Sequence, residues 1–168
     1  IITYLFCKTI IAQTIVVVNI QFLIDNNKQY IEKIKNIEMN QVKFLNSFEK
    51  KEEELNKKLS DIEESKLILN QNEINIKIEE YNKQLFDFTN LVEEYNLHHQ
   101  NQIINIRESV LKELIVLLEK YAIDNKIDLI LDSTSYLIAS NSIDITDFIN
   151  NELNKINLKL EYRNFEKN

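Results

Sequence analysis

A chain of 168 residues with 44% hydrophobic and 28% charged side chains fits one ordered domain and not a disordered segment. Its net charge of −7 argues against nucleic acid as a partner, because phosphate binding needs a concentrated positive face. No segment supplies one: residues 1–60 carry 9 basic and 7 acidic side chains, residues 61–120 carry 6 and 12, and residues 121–168 carry 5 and 8.

The single cysteine, Cys7, excludes an intramolecular disulfide and a multi-cysteine metal site. It lies in the apolar run "IITYLFCKTIIAQ", which ends near the small residue Ala12, and residues 1–13 are expected to be the remnant of a secretory signal. The other reading is an ordinary apolar strand or anchor. Next comes "TIVVVNI", residues 14–20, a β-branched run that predicts a strand.

From residue 22 the apolar period changes from two to about 3.6. Tyr30, Ile34, Ile37, Phe44, Phe48, Leu55, Leu59 and Ile62 predict one long helix. The absence of glycine and proline from the whole chain agrees with long elements and few tight turns. Near residues 68–72 the pattern restarts, with Asn70 and Glu73 spaced as a capping box. Ile74, Ile78, Tyr81, Leu85, Phe88, Val92 and Tyr95 then form one seam, which passes His99 and resumes from Ile103 through Val110, Leu114, Leu117 and Tyr121. Each helix has one stripe to cover, and an antiparallel hairpin covers both. At 1.5 Å per residue it is about 65–80 Å long, so it must project from any head of ordinary size.

The segment "IDLILDSTSYLIASNSIDITDF" has two apolar runs, 127–131 and 136–139, either side of Asp132-Ser133-Thr134-Ser135. This predicts a β-hairpin, with the strand at 14–20 as its partner. "SIDITDFINNELNKI" predicts a closing helix capped by Asp144 or Thr146, with Phe148, Ile149 and Leu153 on the sheet. The fold class is α+β: a long helical hairpin, residues 22–125, inserted in a small β-body made of residues 14–21 and 126–156, with 157–168 as a tail. So small a head with open strand edges is expected to join other copies through Val16, Val17, Val18, Leu129, Ile130, Leu131, Tyr136, Leu137 and Ile138.

Together these residues resemble the Skp/OmpH family of periplasmic chaperones, from about Thr14 to Leu153. "TIVVVNIQFLIDNN", "YAIDNKIDLILDSTSYLIASNSIDITDFI" and the hairpin between them carry the resemblance. It implies a homotrimer with a central β-body and three helical arms. Their cavity would hold unfolded outer-membrane proteins in the periplasm, without ATP. The chain departs from the family where Asn125-Lys126 replaces a frequent Gly before the "DLILD" strand, and where Asn141-Ser142 replaces a frequent Pro. It is also acidic where familiar members are basic. Lys57, Lys58 and Lys66 near the arm tip are offset by Asp61, Glu63 and Glu64, which leaves at most a weak contact of the tips with a membrane surface.

Ile76, Phe86 and Leu97 point away from the seam at about 100° per residue, so they are candidate client contacts, or else scattered surface apolars. His98-His99 is a solvated or seam-interrupting pair, since neighbours on a helix face different ways. The Glu-Glu pairs follow helix-surface spacing, and neither histidine lies near Ser133–Ser135 in sequence. The sequence thus holds no catalytic constellation and calls for no cofactor. A structural coiled-coil adaptor with one folded partner is the alternative function.

Overall fold

The β-branched run at the front folds as strand β1, Ile15–Val18, and pairs with β2, Leu129–Asp132. The structure, a computed structural model, describes residues 13–166. Segment 1–12, with Cys7 and the signal-peptide expectation, lies outside the described residues. The elements run β1, α1 (Ile20–Asp25), α2 (Lys28–Ser65), α3 (Gln71–Asn125), β2 and α4 (Thr146–Leu153). A long helical hairpin is thus inserted in a sheet built from segments on either side of it.

Two compact units divide the described residues, one of residues 13–31 and 109–159, the other of 32–108 and 160–166. In the first, β1 and β2 are parallel, with Val16 opposite Ile130 and Val17 opposite Leu131. The other edge of β1 is occupied too: the Ile145 N–H donates to the Val17 carbonyl at 3.0 Å, and Val17 bridges Asp144. Parallel pairing needs a crossover, and here the helices provide it. Leu23, Ile24, Val110, Leu114, Ile149 and Leu153 close the core, all at most 1% exposed.

The expected β-hairpin is corrected at its second half, because residues 136–139 are not a strand. Asp132 is the reason. Its carboxylate accepts from the Thr134 hydroxyl at 2.6 Å and the Thr134 N–H at 3.3 Å, which folds Ser133–Ser135 into a 3₁₀ turn. It also accepts from the Ile20 N–H at 3.0 Å, tying the start of α1 to the end of β2. Burial pushes this carboxyl up, but the hydrogen bonds from Thr134, Ile20 and Ser133 outweigh it and hold the group below its ordinary range.

The helices also differ from expectation at their ends. α1 and α2 are separated by Asn26-Asn27; buried Asn27 accepts from the Tyr30 N–H at 3.0 Å and so begins a new helix. Asp144 accepts from the Thr146 N–H at 2.8 Å, while the Thr146 hydroxyl accepts from the Asn19 N–H at 3.0 Å and latches the end of β1 instead of capping α4. Phe148 does not lie on the sheet. It is 51% exposed, and its ring meets Tyr121 at 5.2 Å.

α3 ends in a Schellman motif: the Ile127 N–H donates to the Ala122 carbonyl at 2.9 Å and the Lys126 N–H to Ile123 at 3.4 Å. Lys126 takes the left-handed conformation, φ 55°. A side chain with a Cβ is disfavoured there by about 1–2 kcal/mol. Lys126→Gly should therefore raise stability by about 1 kcal/mol, read as a shift of the urea midpoint at unchanged slope.

In the second unit α2 and α3 run antiparallel: Phe44 meets Tyr95, Phe48 meets Phe88, and Lys58 lies 3.8 Å from Glu80. Ile37, Leu55, Ile62, Ile74, Tyr95 and Ile106 are buried. At the turn Asn70 accepts from the Asn72 and Glu73 N–H groups at 3.0 and 3.1 Å, while Glu73 accepts from the Asn70 N–H at 3.1 Å. This is a complete capping box, and it satisfies donors that the start of α3 would otherwise leave unpaired.

Candidate functional site

The three outward residues of α3 are all exposed: Ile76 at 52%, Phe86 at 64% and Leu97 at 59%. Phe86 and Leu97 are eleven residues apart, about 20° around the helix and about 16 Å along it, so they share one line. Ile76 is turned from Phe86 by about 80° and stands apart. Leu97 borders a shallow groove with Phe88, Val92, Asn96 and Gln100. Met39, Val42 and Leu45 on α2 are also about half exposed, and Leu67 and Ile68 in the inter-helix turn almost fully so. Sequence reading missed these last two. Their signal is an adjacent apolar pair in the segment where the helical pattern stops.

The candidate subunit-contact residues divide into two groups. Val16, Val17 and Val18 are at most 7% exposed and serve their own chain's core. Ile130, Leu131 and Tyr136 are half-buried, whereas Leu129 is 45% exposed and Leu137 and Ile138 stand free in solvent at 101% and 92%. Isolated surface apolars are ordinary, but two adjacent, fully exposed and branched side chains in a segment outside the described helices and strands are not.

The second unit contains an aromatic cluster that joins residues far apart in sequence. Tyr95 packs on Phe44 at 4.6 Å between ring centroids, on Phe48 at 5.3 Å and on Phe165 at 5.4 Å. Phe165 belongs to the segment expected to be a plain tail. This segment is held at its backbone: the Arg163 N–H donates to Gln102 Oε1 at 3.0 Å, and His98 Nε2 lies 2.8 Å from the Arg163 carbonyl, which makes that nitrogen the donor. Burial raises the Tyr95 and Tyr162 hydroxyls above their ordinary pKa, with Tyr162 adding to the effect on Tyr95.

His98 and His99 do face different ways, His98 toward Phe165 and His99 stacked on Tyr95 at 6.1 Å. Burial, with help from a charged His98 and against Glu38, holds His99 below its ordinary pKa. A histidine shifted down favours its neutral form in the fold. Its contribution is present above the unfolded value of about 6.5 and is lost as pH falls through the folded value. Melting curves at pH 7.5 and 5.5 should show this acid loss in the parent and a smaller loss in His99→Phe.

Among the described residues there is no group of three or more His, Cys, Asp or Glu side chains placed to hold a metal ion, and no helix is long and apolar enough to cross a membrane.

Comparison with known proteins agrees with this architecture. A family model described as "Outer membrane protein (OmpH-like)" matches residues 14–153. The crystal structure of an OmpH-like candidate outer-membrane chaperone from Caulobacter crescentus CB15 is similar, with a TM-score of 0.72 and 14% sequence identity over 86% of this chain and 85% of that one. At that identity the likeness shows the fold. No curated protein sequence matches the chain. The family match takes in both strands, the whole helical hairpin and α4, so the chain belongs to the OmpH-like family.

Proposed function

We propose that the chain is an ATP-independent periplasmic holdase that keeps unfolded outer-membrane proteins from aggregating. The observation that carries this reading is the set of large apolar side chains left exposed along α2 and α3 outside their packed seam, Met39, Val42, Leu45, Ile76, Phe86 and Leu97. Each offers little by itself. Spread along two helices, several weak contacts to one unfolded chain multiply through effective concentration and still release one at a time.

In this reading residues 14–21 and 126–156 form a β-body, residues 22–125 an arm with its tip near 68–72, and residues 157–168 a tail. Three copies join through the β-body. The edge of β2 that pairs with no other described strand and the exposed Leu137-Ile138 pair support such a joint, since each is a surface that isolated domains usually cover. The client then lies among three arms, in contact with Ile76, Phe86 and Leu97.

Dilution of a urea-unfolded outer-membrane β-barrel protein into buffer, followed by light scattering, tests the proposal. Stoichiometric trimer is expected to suppress the scattering, and scattering unchanged by the protein overturns the proposal. The Ile76→Ser/Phe86→Ser/Leu97→Ser variant should suppress it several-fold less well, while its stability stays within about 1 kcal/mol of the parent because all three sites are exposed.

A further inference from the structure

The C-terminal segment shows how the helical unit holds an extended polypeptide. Along residues 156–162 burial alternates: Ile156, Leu158, Leu160 and Tyr162 are buried or half-buried, and Asn157, Lys159 and Glu161 are exposed. This is the period of a strand with one apolar face, yet no strand among the described residues pairs with it. Helix side chains take the place of the missing ladder. In the first unit Gln29 donates to the Ile156 carbonyl at 2.6 Å and accepts from the Leu158 N–H at 3.0 Å, bonding two backbone groups two residues apart. In the second unit Gln102 and His98 do the same for the N–H and carbonyl of Arg163.

What Gln102 and His98 bind is main chain, which every sequence provides. The pocket beside them, formed by Phe44, Tyr95 and the ring of His98, takes the aromatic side chain two residues further on, Phe165, at centroid distances of 5.8, 5.4 and 5.5 Å. The charged side chains of residues 160–166, Glu161, Arg163 and Glu166, are exposed and do not define the fit. Backbone hydrogen bonds with pockets for alternate side chains are how extended peptides are recognised generally.

We propose that this slot in the second unit, Phe44, Tyr95, His98 and Gln102, is a binding site for polypeptide that offers a free main-chain N–H and carbonyl with an aromatic side chain two residues further on, and that residues 160–166 of the same chain occupy it as a built-in competitor. The inference rests on the holdase reading and adds to it a defined site and a regulator. A client must displace the tail, so affinity is lowered by the fraction of time the slot is closed. A tail that is seated nine-tenths of the time weakens apparent binding about tenfold.

The test uses the full chain and a fluorescein-labelled twelve-residue peptide in which Val, Phe and Tyr alternate with Ser, Lys and Gln. Leu160→Ala/Phe165→Ala, which frees the tail, should bind the peptide about tenfold more tightly than the parent, and adding His98→Ala/Gln102→Ala should remove the gain. Arg163→Pro deletes the N–H that Gln102 accepts, together with an exposed guanidinium, and leaves every apolar side chain in place, so it should give a smaller gain at little cost in stability. Unchanged or weaker binding by both tail variants overturns the inference and makes the segment a structural strap. Light scattering with the parent protein separates the two ideas: suppression by the parent with no gain in the tail variants sinks the inference alone, whereas no suppression and no peptide binding by any form sinks both.

Discussion

Ile149→Ala is expected to lower the melting temperature on the order of 10 °C. Ile149 is fully buried in the first unit, on the face of α4 that also carries Leu153, and α1 beside it contributes Leu23 and Ile24. Removing three carbons from such a site forfeits their transfer free energy and leaves a void, together about 2–5 kcal/mol. In a protein whose total stability is on the order of 5–15 kcal/mol, that is a large share. A head with two short strands also has little freedom to collapse around the gap. Circular dichroism melts at matched concentration measure the effect. Phe148→Ala, one residue away but half exposed, should cost well under half as much, and equal shifts for the two would contradict the packing of α4.

Leu137→Asp/Ile138→Asp should abolish the proposed assembly and leave each chain folded. The two side chains are almost fully exposed and so have little packing to lose, and the melting of the separated chain should change by less than about 1 kcal/mol. In a joint between copies they would be covered. A carboxylate buried there without a partner costs several kcal/mol, and each 1.4 kcal/mol is tenfold in affinity, so association should weaken about a thousandfold or more. Sedimentation velocity across a concentration series measures it. A parent that sediments as a monomer, or a variant that assembles as the parent does, removes these residues from any subunit joint.

Much of this fold is legible in the sequence because the signals are local and agree with one another. Val16–Val18 are β-branched in a row, the seam of α3 steps by threes and fours, and Asn70 with Glu73 forms the predicted cap. The sense of the strand pairing is not legible. Asp132-Ser133-Thr134-Ser135 has the composition of a hairpin turn, but an Asp side chain that bonds two residues ahead makes a 3₁₀ turn from the same letters. Nothing in residues 136–139 alone tells whether a partner strand exists for them. The tail carried its signal openly in "INLKLEY", a period of two at the end of a helical chain. What holds its backbone, a pair of amides and an imidazole on helices, has no sequence pattern. Of the candidate site, the outward positions Ile76, Phe86 and Leu97 follow from helical geometry, whereas the Phe44–Tyr95–Phe165 cluster depends on tertiary contact.

The parallel match of Val16 to Ile130 bears on how the molecule comes into being. Its first strand leaves the ribosome long before its mate, and roughly 110 intervening residues must be looped before the two can touch, an entropic handicap of about 3 kcal/mol relative to a tight turn. The capped corner at Asn70 offers a way around it. If the helices zip together from there, each added turn draws the remaining chain shorter, and the strands are delivered to each other last. The sheet would then act as a seal that closes only on a finished molecule, and until it closes the newborn chain is itself an unfolded polypeptide in need of protection.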